Sequence, residues 1–165
     1  MSPFLTEEHE AFRAEIRDFA EREIAPVARE FDEQSRFPWD NVRKMADLGF
    51  FGINVPVEYG GLGRDYLSYI LAIEELARVD ASHSITVSAH STLATSPILT
   101  FGTEEQKQRY VPLLARGKVL GGFGLTEPGA GSDAGGTRTV AVRQGDRYRI
   151  NGNKIFITHA GVGEI

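Results

Sequence analysis

The hydrophobic period of this 165-residue chain changes once, near Lys118, and that change constrains the fold more than any other feature. Before it, apolar residues recur at helical spacing; after it, they alternate or sit among glycines. The expected architecture is therefore α+β, with an all-helical bundle over residues 1–117 and an antiparallel β-unit over residues 118–165.

Within the helical part, Phe12, Ile16, Phe19, Ile24, Val27 and Phe31 mark one apolar face, and Pro26 should end or kink that helix near Ala25. Pro38 or Trp39 opens a second helix, which Gly49 closes. Residues 50–64, rich in Gly and Pro, read as a structured loop. Asp65 is placed to cap a helix carrying Leu67, Ile70, Leu71, Ile73 and Leu76. Residues 81–95 form a helix of Ser, Thr and Ala that is either buried or lines a cavity, with Pro97 at its end or at a bend. Thr103 and Gln106 have the spacing of a capping box for a helix that runs to about Ala115 and closes at Gly117.

In the second part, residues 119–125, 137–143, 147–150 and 154–160 read as strands, with Asn151-Gly152 as a hairpin turn. A sheet of about four strands that stops near Ala160 would have an open edge and an uncovered apolar face. The β-unit therefore reads as incomplete.

Composition removes several function classes. The net charge is −5, with the acidic excess in residues 1–117 and a slight basic excess in 118–165, which argues against general nucleic-acid binding. There is no cysteine, hence no disulfide framework, thiolate metal site or cysteine nucleophile. No apolar run approaches the roughly 18–20 residues of a membrane span. The first residues move straight into charge without the apolar core of a secretory signal, and the expected compartment is the cytoplasm. His83 and His90 lie two helical turns apart, too far for a shared metal on an unbroken helix, so no metal site is expected.

The chemistry is concentrated in Gly124-Leu125-Thr126-Glu127-Pro128-Gly129-Ala130-Gly131-Ser132-Asp133. Glycines admit close backbone approach to a ligand, and hydroxyls with free N–H groups can hold a phosphate or a polar ring edge. The run from Gly129 to Ala134 formally matches a dinucleotide fingerprint, but Gly135-Gly136-Thr137 favours a turn and strand where that fingerprint needs a helix. No Walker lysine follows. Read alone, the loop is either a glycine-rich β-turn or a ligand cradle. Glu127 and Asp133 could form an acid–base pair, although carboxylates in such turns more often bond their own backbone. Ser132 lacks the setting of a nucleophile elbow.

Leu125 to Asp133 resembles the signature of the acyl-CoA dehydrogenase family, and Ile150-Asn151-Gly152-Asn153-Lys154-Ile155-Phe156-Ile157-Thr158 resembles the segment that follows it there. Phe51 to Gly63, Glu74-Glu75-Leu76-Ala77-Arg78 and Phe101 to Lys107 are similar to that family's helical domain, in the same order, so the likeness covers essentially the whole chain. It implies FAD as cofactor, with Phe123, Leu125, Thr126, Gly131 and Ser132 in the flavin loop. The Thr126 hydroxyl would bond the polar edge of the ring, and Ser132 would lie between the cofactor and the coenzyme A portion of the substrate. Phe156, Ile157 and Thr158 would lie against the isoalloxazine, with Thr158 near the reactive N5. Many members have Trp where this chain has Phe156, which keeps a flat apolar wall and loses the indole N–H.

The activity the resemblance implies is oxidation of an acyl-CoA thioester to the trans-2-enoyl-CoA, with electrons passed to an electron-transfer flavoprotein, in a homo-oligomer (dimer or tetramer). An acyl-CoA oxidase, a decarboxylating relative and a non-catalytic truncated product are the alternatives. The family's catalytic glutamate belongs to a C-terminal helical domain beyond these residues, so no catalytic residue is assigned here, and the 165-residue chain alone is expected to lack turnover and to expose apolar surface. Residues 81–95 are a candidate wall of the acyl pocket, or simply a tightly packed helix.

Overall fold

A computed structural model describes residues 4–165. Helix α1 (Glu7–Phe19) starts at Thr6, whose hydroxyl accepts the His9 N–H at 3.2 Å while His9 Nδ1 accepts the Thr6 N–H at 3.1 Å. Its axis continues through a wider turn over Ala20–Ile24, where the Ala25 N–H reaches the Ala20 carbonyl at 2.9 Å, five residues back. The expected break near Pro26 follows, and α2 (Ala28–Glu33) resumes beyond it. Phe12, Ile16, Phe19 and Ile24 are buried as their spacing predicts, whereas Val27 and Phe31 are only partly covered.

Helix α3 (Trp39–Asp47) ends at Gly49, which adopts the left-handed φ of +77° that glycine tolerates best. Residues 50–64 form the expected structured loop, with two short 3₁₀ turns at Phe50–Gly52 and Val57–Tyr59. Helix α4 (Tyr66–Val79) is capped by Asp65, whose carboxylate accepts the Ser68 N–H at 2.8 Å. Its inward face differs from the expected one: Ile70 is exposed, while Ser68, Tyr69 and Glu75 are buried beside Leu71, Ala72 and Leu76.

The burial of Glu75 follows from a charge cluster brought together from two helices. Glu75 accepts Arg13 Nε at 2.7 Å, Arg17 Nη2 at 2.6 Å and Arg78 Nε at 3.1 Å. Hydrogen bonds from Arg17, and then those from Arg13 and Arg78, outweigh the effect of burial and hold its carboxyl down to about 2. A charge this buried is tolerable only with its lone pairs taken up in this way.

Helix α5 (Ala81–Ala89) is capped by Asp80 and passes into a second wide turn over His90–Thr95. Pro97 does not end this run. It occupies the first turn of α6 (Ser96–Phe101), where a missing N–H is harmless. Helix α7 (Glu104–Ala115) carries the predicted Thr103–Gln106 capping box and closes at Gly117, with φ +58°. Helices α1, α4 and α5 pack in sequence around Phe50, Phe51, Met45 and Val87, and a smaller apolar cluster of Val55, Tyr59, Val111 and Ala115 joins α7 to the loop.

The second part holds fewer paired strands than expected. Strand β1 (Val140–Gln144) pairs antiparallel with β2 (Arg147–Asn151), from Val140 opposite Asn151 to Gln144 opposite Arg147. The hairpin turn is Gly145-Asp146, with Gly145 at φ +66°, and not Asn151-Gly152. Gly152 serves close approach instead, because a Cβ there would lie 2.1 Å from Thr139 Oγ1. Residues 120–125 and 152–155 form no regular ladder, and the expected last strand is broken by a bend at Phe156, φ +56°, and a turn from Thr158 onward. All ten residues of the hairpin strands are exposed, leaving Val140, Val142, Tyr148 and Ile150 in contact with solvent.

Candidate functional site

Residues 120–126 run beside residues 154–165, and isolated backbone bonds hold the two together. The Gly122 N–H donates to the Ile165 carbonyl at 2.7 Å, the Glu164 N–H to Leu120 at 2.8 Å and the Ile155 N–H to Thr126 at 2.9 Å. Two buried histidines fix the start of this pair. The Gly121 N–H donates to His90 Nδ1 at 3.2 Å, so His90 Nε2 carries the proton that it donates to the Leu114 carbonyl at 3.0 Å. On its other side, the Gly121 carbonyl accepts His159 Nδ1 at 2.8 Å. Burial depresses both imidazoles, His90 to about 4, so both are neutral near pH 7.

The glycine-rich loop turns tightly after Thr126. Glu127 and Ala130 exchange backbone bonds at 3.0 and 3.1 Å, with Pro128-Gly129 at the tip. The Glu127 side chain is buried and is engaged by residues outside the tip. It accepts the Arg138 N–H at 2.7 Å, the Thr139 N–H at 2.9 Å, the Thr139 hydroxyl at 2.5 Å and Lys154 Nζ at 2.9 Å. The Thr139 hydroxyl, followed by the Arg138 N–H, holds its carboxyl down to about 2. Lys154 Nζ also donates to the Leu125 carbonyl at 2.8 Å. Four donors engage the Glu127 carboxylate, two of them backbone N–H groups of residues 138 and 139, which is the backbone bonding expected of a carboxylate in such a turn.

The residues singled out from the sequence are partly brought together. Phe123, Ile157 and Thr158 line one cleft of about 340 Å³, with Gly122, Gly124 and Ala160. Leu125 and Thr126 continue along the same edge, tied to residues 154–155 through their carbonyls. Gly131 and Ser132 lie farther along, in the exposed turn beyond Ala130. Phe156 is 90% exposed at φ +56°, and His159 has φ +68°, so two non-glycine residues in the left-handed region flank Ile157-Thr158. Such conformations carry a conformational cost and tend to occur where the backbone must aim a group.

Two observations bear on what this edge can hold. Among the described residues, the hydroxyls of Thr126, Ser132 and Thr158 have no hydrogen-bond partner in the chain, although Thr126 and Thr158 are half-buried. Gly129 and Gly131 have neither a left-handed φ nor any atom within 4 Å of the place a Cβ would take, so the chain itself does not require glycine at either. Free hydroxyls beside unfilled glycine positions suit a flat, polar-edged group approaching the backbone. The donor set fits a flavin.

Sequence reasoning missed the Glu127–Lys154 pair and the role of His159. The opposite charges of Glu127 and Lys154 in two adjoining motifs were a usable signal. Nothing in the sequence marks His159 as buried against Gly121. Among the described residues no group of three metal-ligating side chains comes together, and no helix is long and apolar enough to cross a membrane.

Comparison with known proteins places these features in a family. Residues 6–118 match the acyl-CoA dehydrogenase N-terminal domain, and residues 122–165 match the middle domain of the same family. The chain belongs to the acyl-CoA dehydrogenase family. It is 52% identical over 160 residues to the short-chain specific acyl-CoA dehydrogenase of Clostridium acetobutylicum, covering 97% of this chain and 42% of that protein. It is 46% identical over 158 residues to the caffeyl-CoA reductase–Etf complex subunit CarC of Acetobacterium woodii, with 95% and 42% covered. The fold superposes on the Bacillus anthracis acyl-CoA dehydrogenase complexed with FAD with a TM-score of 0.89 at 35% identity, covering 99% of this chain and 28% of that one. The chain thus spans less than half the length of these relatives.

Proposed function

We propose that this chain forms the helical domain (residues 1–117) and the flavin-loop portion (residues 118–165) of an FAD-dependent acyl-CoA dehydrogenase, which oxidises an acyl-CoA thioester to the trans-2-enoyl-CoA. The observation that carries this reading is the adjacency of residues 122–126 and 154–158, joined by the Ile155 N–H to Thr126 and by Lys154 Nζ to Leu125, which puts Phe123, Ile157 and Thr158 in one cleft and leaves the hydroxyls of Thr126 and Thr158 without partners. Bound FAD would supply the hydride acceptor.

The residues of this chain hold and orient. Leu125 and Thr126 have their carbonyls engaged by residues 154–155, so the Thr126 hydroxyl remains for the cofactor's polar edge. Thr158, set between the two left-handed residues, would offer its hydroxyl to the flavin ring, and the exposed Phe156 would supply an apolar wall. Gly131 would let the loop backbone approach the cofactor, and Ser132, exposed in the same turn, would meet the coenzyme A portion of the substrate. Hydroxyl and N–H donors suit the negative charge that grows on a reduced flavin. The α-proton is taken by a glutamate outside residues 1–165, in keeping with the family resemblance.

The likeness to the short-chain specific dehydrogenase supports a short acyl chain as substrate, and the likeness to the caffeyl-CoA reductase–Etf subunit supports an electron-transfer flavoprotein as acceptor. The full-length protein, loaded with FAD and mixed anaerobically with butyryl-CoA, is expected to bleach its flavin absorbance and to pass electrons to an electron-transfer flavoprotein. A flavin-loaded protein that no acyl-CoA reduces would overturn the reading.

A further inference from the structure

Glu127 and Lys154 form an ion pair at 2.9 Å beside the flavin loop, and neither is among the residues that meet the cofactor. Glu127 is 7% exposed, and its four hydrogen-bond donors come from Arg138, Thr139 and Lys154, on two separate segments. Lys154 contributes a second bond to the Leu125 carbonyl, at 2.8 Å. The next residue, Ile155, donates its N–H to Thr126 at 2.9 Å. One carboxylate thus joins three pieces of backbone: the flavin loop, the residues entering β1, and the segment leading to Phe156 and Thr158.

Resting on the function proposed above, we infer that Glu127 and Lys154 act as one positioning unit, setting the register of the flavin loop against residues 154–158 and so the separation of the Thr126 and Thr158 hydroxyls. One feature favours positioning over plain stability: the bonds from Lys154 Nζ and the Ile155 N–H end on the carbonyls of Leu125 and Thr126, which follow Phe123 along the loop. A lysine that loses its carboxylate keeps its charge but not its direction, and the Leu125 carbonyl is then free to rotate.

The test uses the full-length, flavin-loaded protein with Glu127→Gln, Lys154→Met, the double variant and Lys154→Arg. Each of the first two is expected to weaken FAD retention about tenfold, the equivalent of one charge-assisted hydrogen bond. Each should also blur the fine structure of the flavin absorption band while far-ultraviolet circular dichroism stays that of the wild type. The double variant should lose no more than either single one, because the two residues work through the same link. Lys154→Arg should restore the band shape. Should Glu127→Gln fail to fold, Lys154→Met carries the test alone, since Lys154 is partly exposed and its stem can reach water. Wild-type affinity and band shape in Lys154→Met, or additive losses in the double variant, would overturn the inference. A wild-type protein that holds no flavin would instead overturn the functional reading on which it rests.

Discussion

His90 Nδ1 accepts the Gly121 N–H at 3.2 Å, so a ring in the wide turn of the helical part holds the first peptide of the flavin-loop part. This bond requires a lone pair on Nδ1, and therefore a neutral imidazole. Burial lowers His90 from its ordinary 6.5 to about 4. A group whose folded pKa is depressed contributes its full stability above the unfolded value and loses it as pH falls through the folded one.

Stability is accordingly expected to decline between pH 6.5 and pH 4. His90→Gln, with nothing to titrate, should show a flatter profile across that window in urea unfolding. An equally steep decline in the variant would assign the effect to other groups.

Glu75→Gln should destabilise the helical part by about 2 kcal/mol, since it weakens charge-assisted bonds from Arg13, Arg17 and Arg78. The loss stays below the largest values for broken buried pairs because Arg17 and Arg78 are half-exposed and can turn to water. Its carboxyl is held at about 2 against an ordinary 4.5, so the contribution is complete above pH 4.5 and disappears as pH falls toward 2. The urea midpoint of wild type and variant at pH 7 and pH 3 measures both effects. A midpoint unchanged at pH 7 would refute the structural role.

Gly131→Ala separates the needs of the chain from those of the cofactor. No atom lies within 4 Å of the position a methyl would take, and the backbone is not left-handed. The substitution should leave stability unchanged or raise it by about 0.5 kcal/mol, by restricting the unfolded chain. It should nonetheless weaken FAD binding severalfold in the full-length protein. Thermal melts of apoprotein and holoprotein distinguish the two effects. Equal flavin affinity in variant and wild type would mean that no ligand uses the space at Gly131.

Local signals in the sequence carry the helical part well. The Asp65 cap, the Thr103–Gln106 box and the left-handed Gly49 each involve a side chain and backbone within one turn, and their geometry follows from residue type alone. Nothing local marks Glu75 as buried, because its partners Arg13 and Arg17 arrive from a helix some sixty residues away in sequence. The wide turns at residues 20–24 and 90–95 share one mark, a proline two residues beyond each (Pro26 and Pro97), while their own residues have nothing in common that distinguishes them from ordinary helix. Asn151-Gly152 is not a turn because Asn151 pairs with Val140 as the last residue of β2 and neither residue takes the positive φ a type I′ turn needs; the glycine is used for the close approach of Thr139.

At the site, residue types are legible in the sequence and their grouping is not. Phe123, Ile157 and Thr158 share a cleft, but Gly131 and Ser132 stand apart in an exposed turn. The carboxylate that ties the segments together, Glu127, carries the charge of a catalytic group and the hydrogen-bonding pattern of a brace.

The central claim is that the adjacent segments 122–126 and 154–158 hold a flavin through hydroxyls the chain leaves unused. An FAD titration of the full-length apoprotein, comparing wild type with Thr126→Val and Thr158→Val, tests it most directly. The account predicts saturable binding with a structured flavin band in the wild type, and about a fivefold to tenfold weaker Kd for each valine variant, the loss of one hydrogen bond apiece. Wild-type Kd in both variants would contradict it, placing the flavin elsewhere in the molecule.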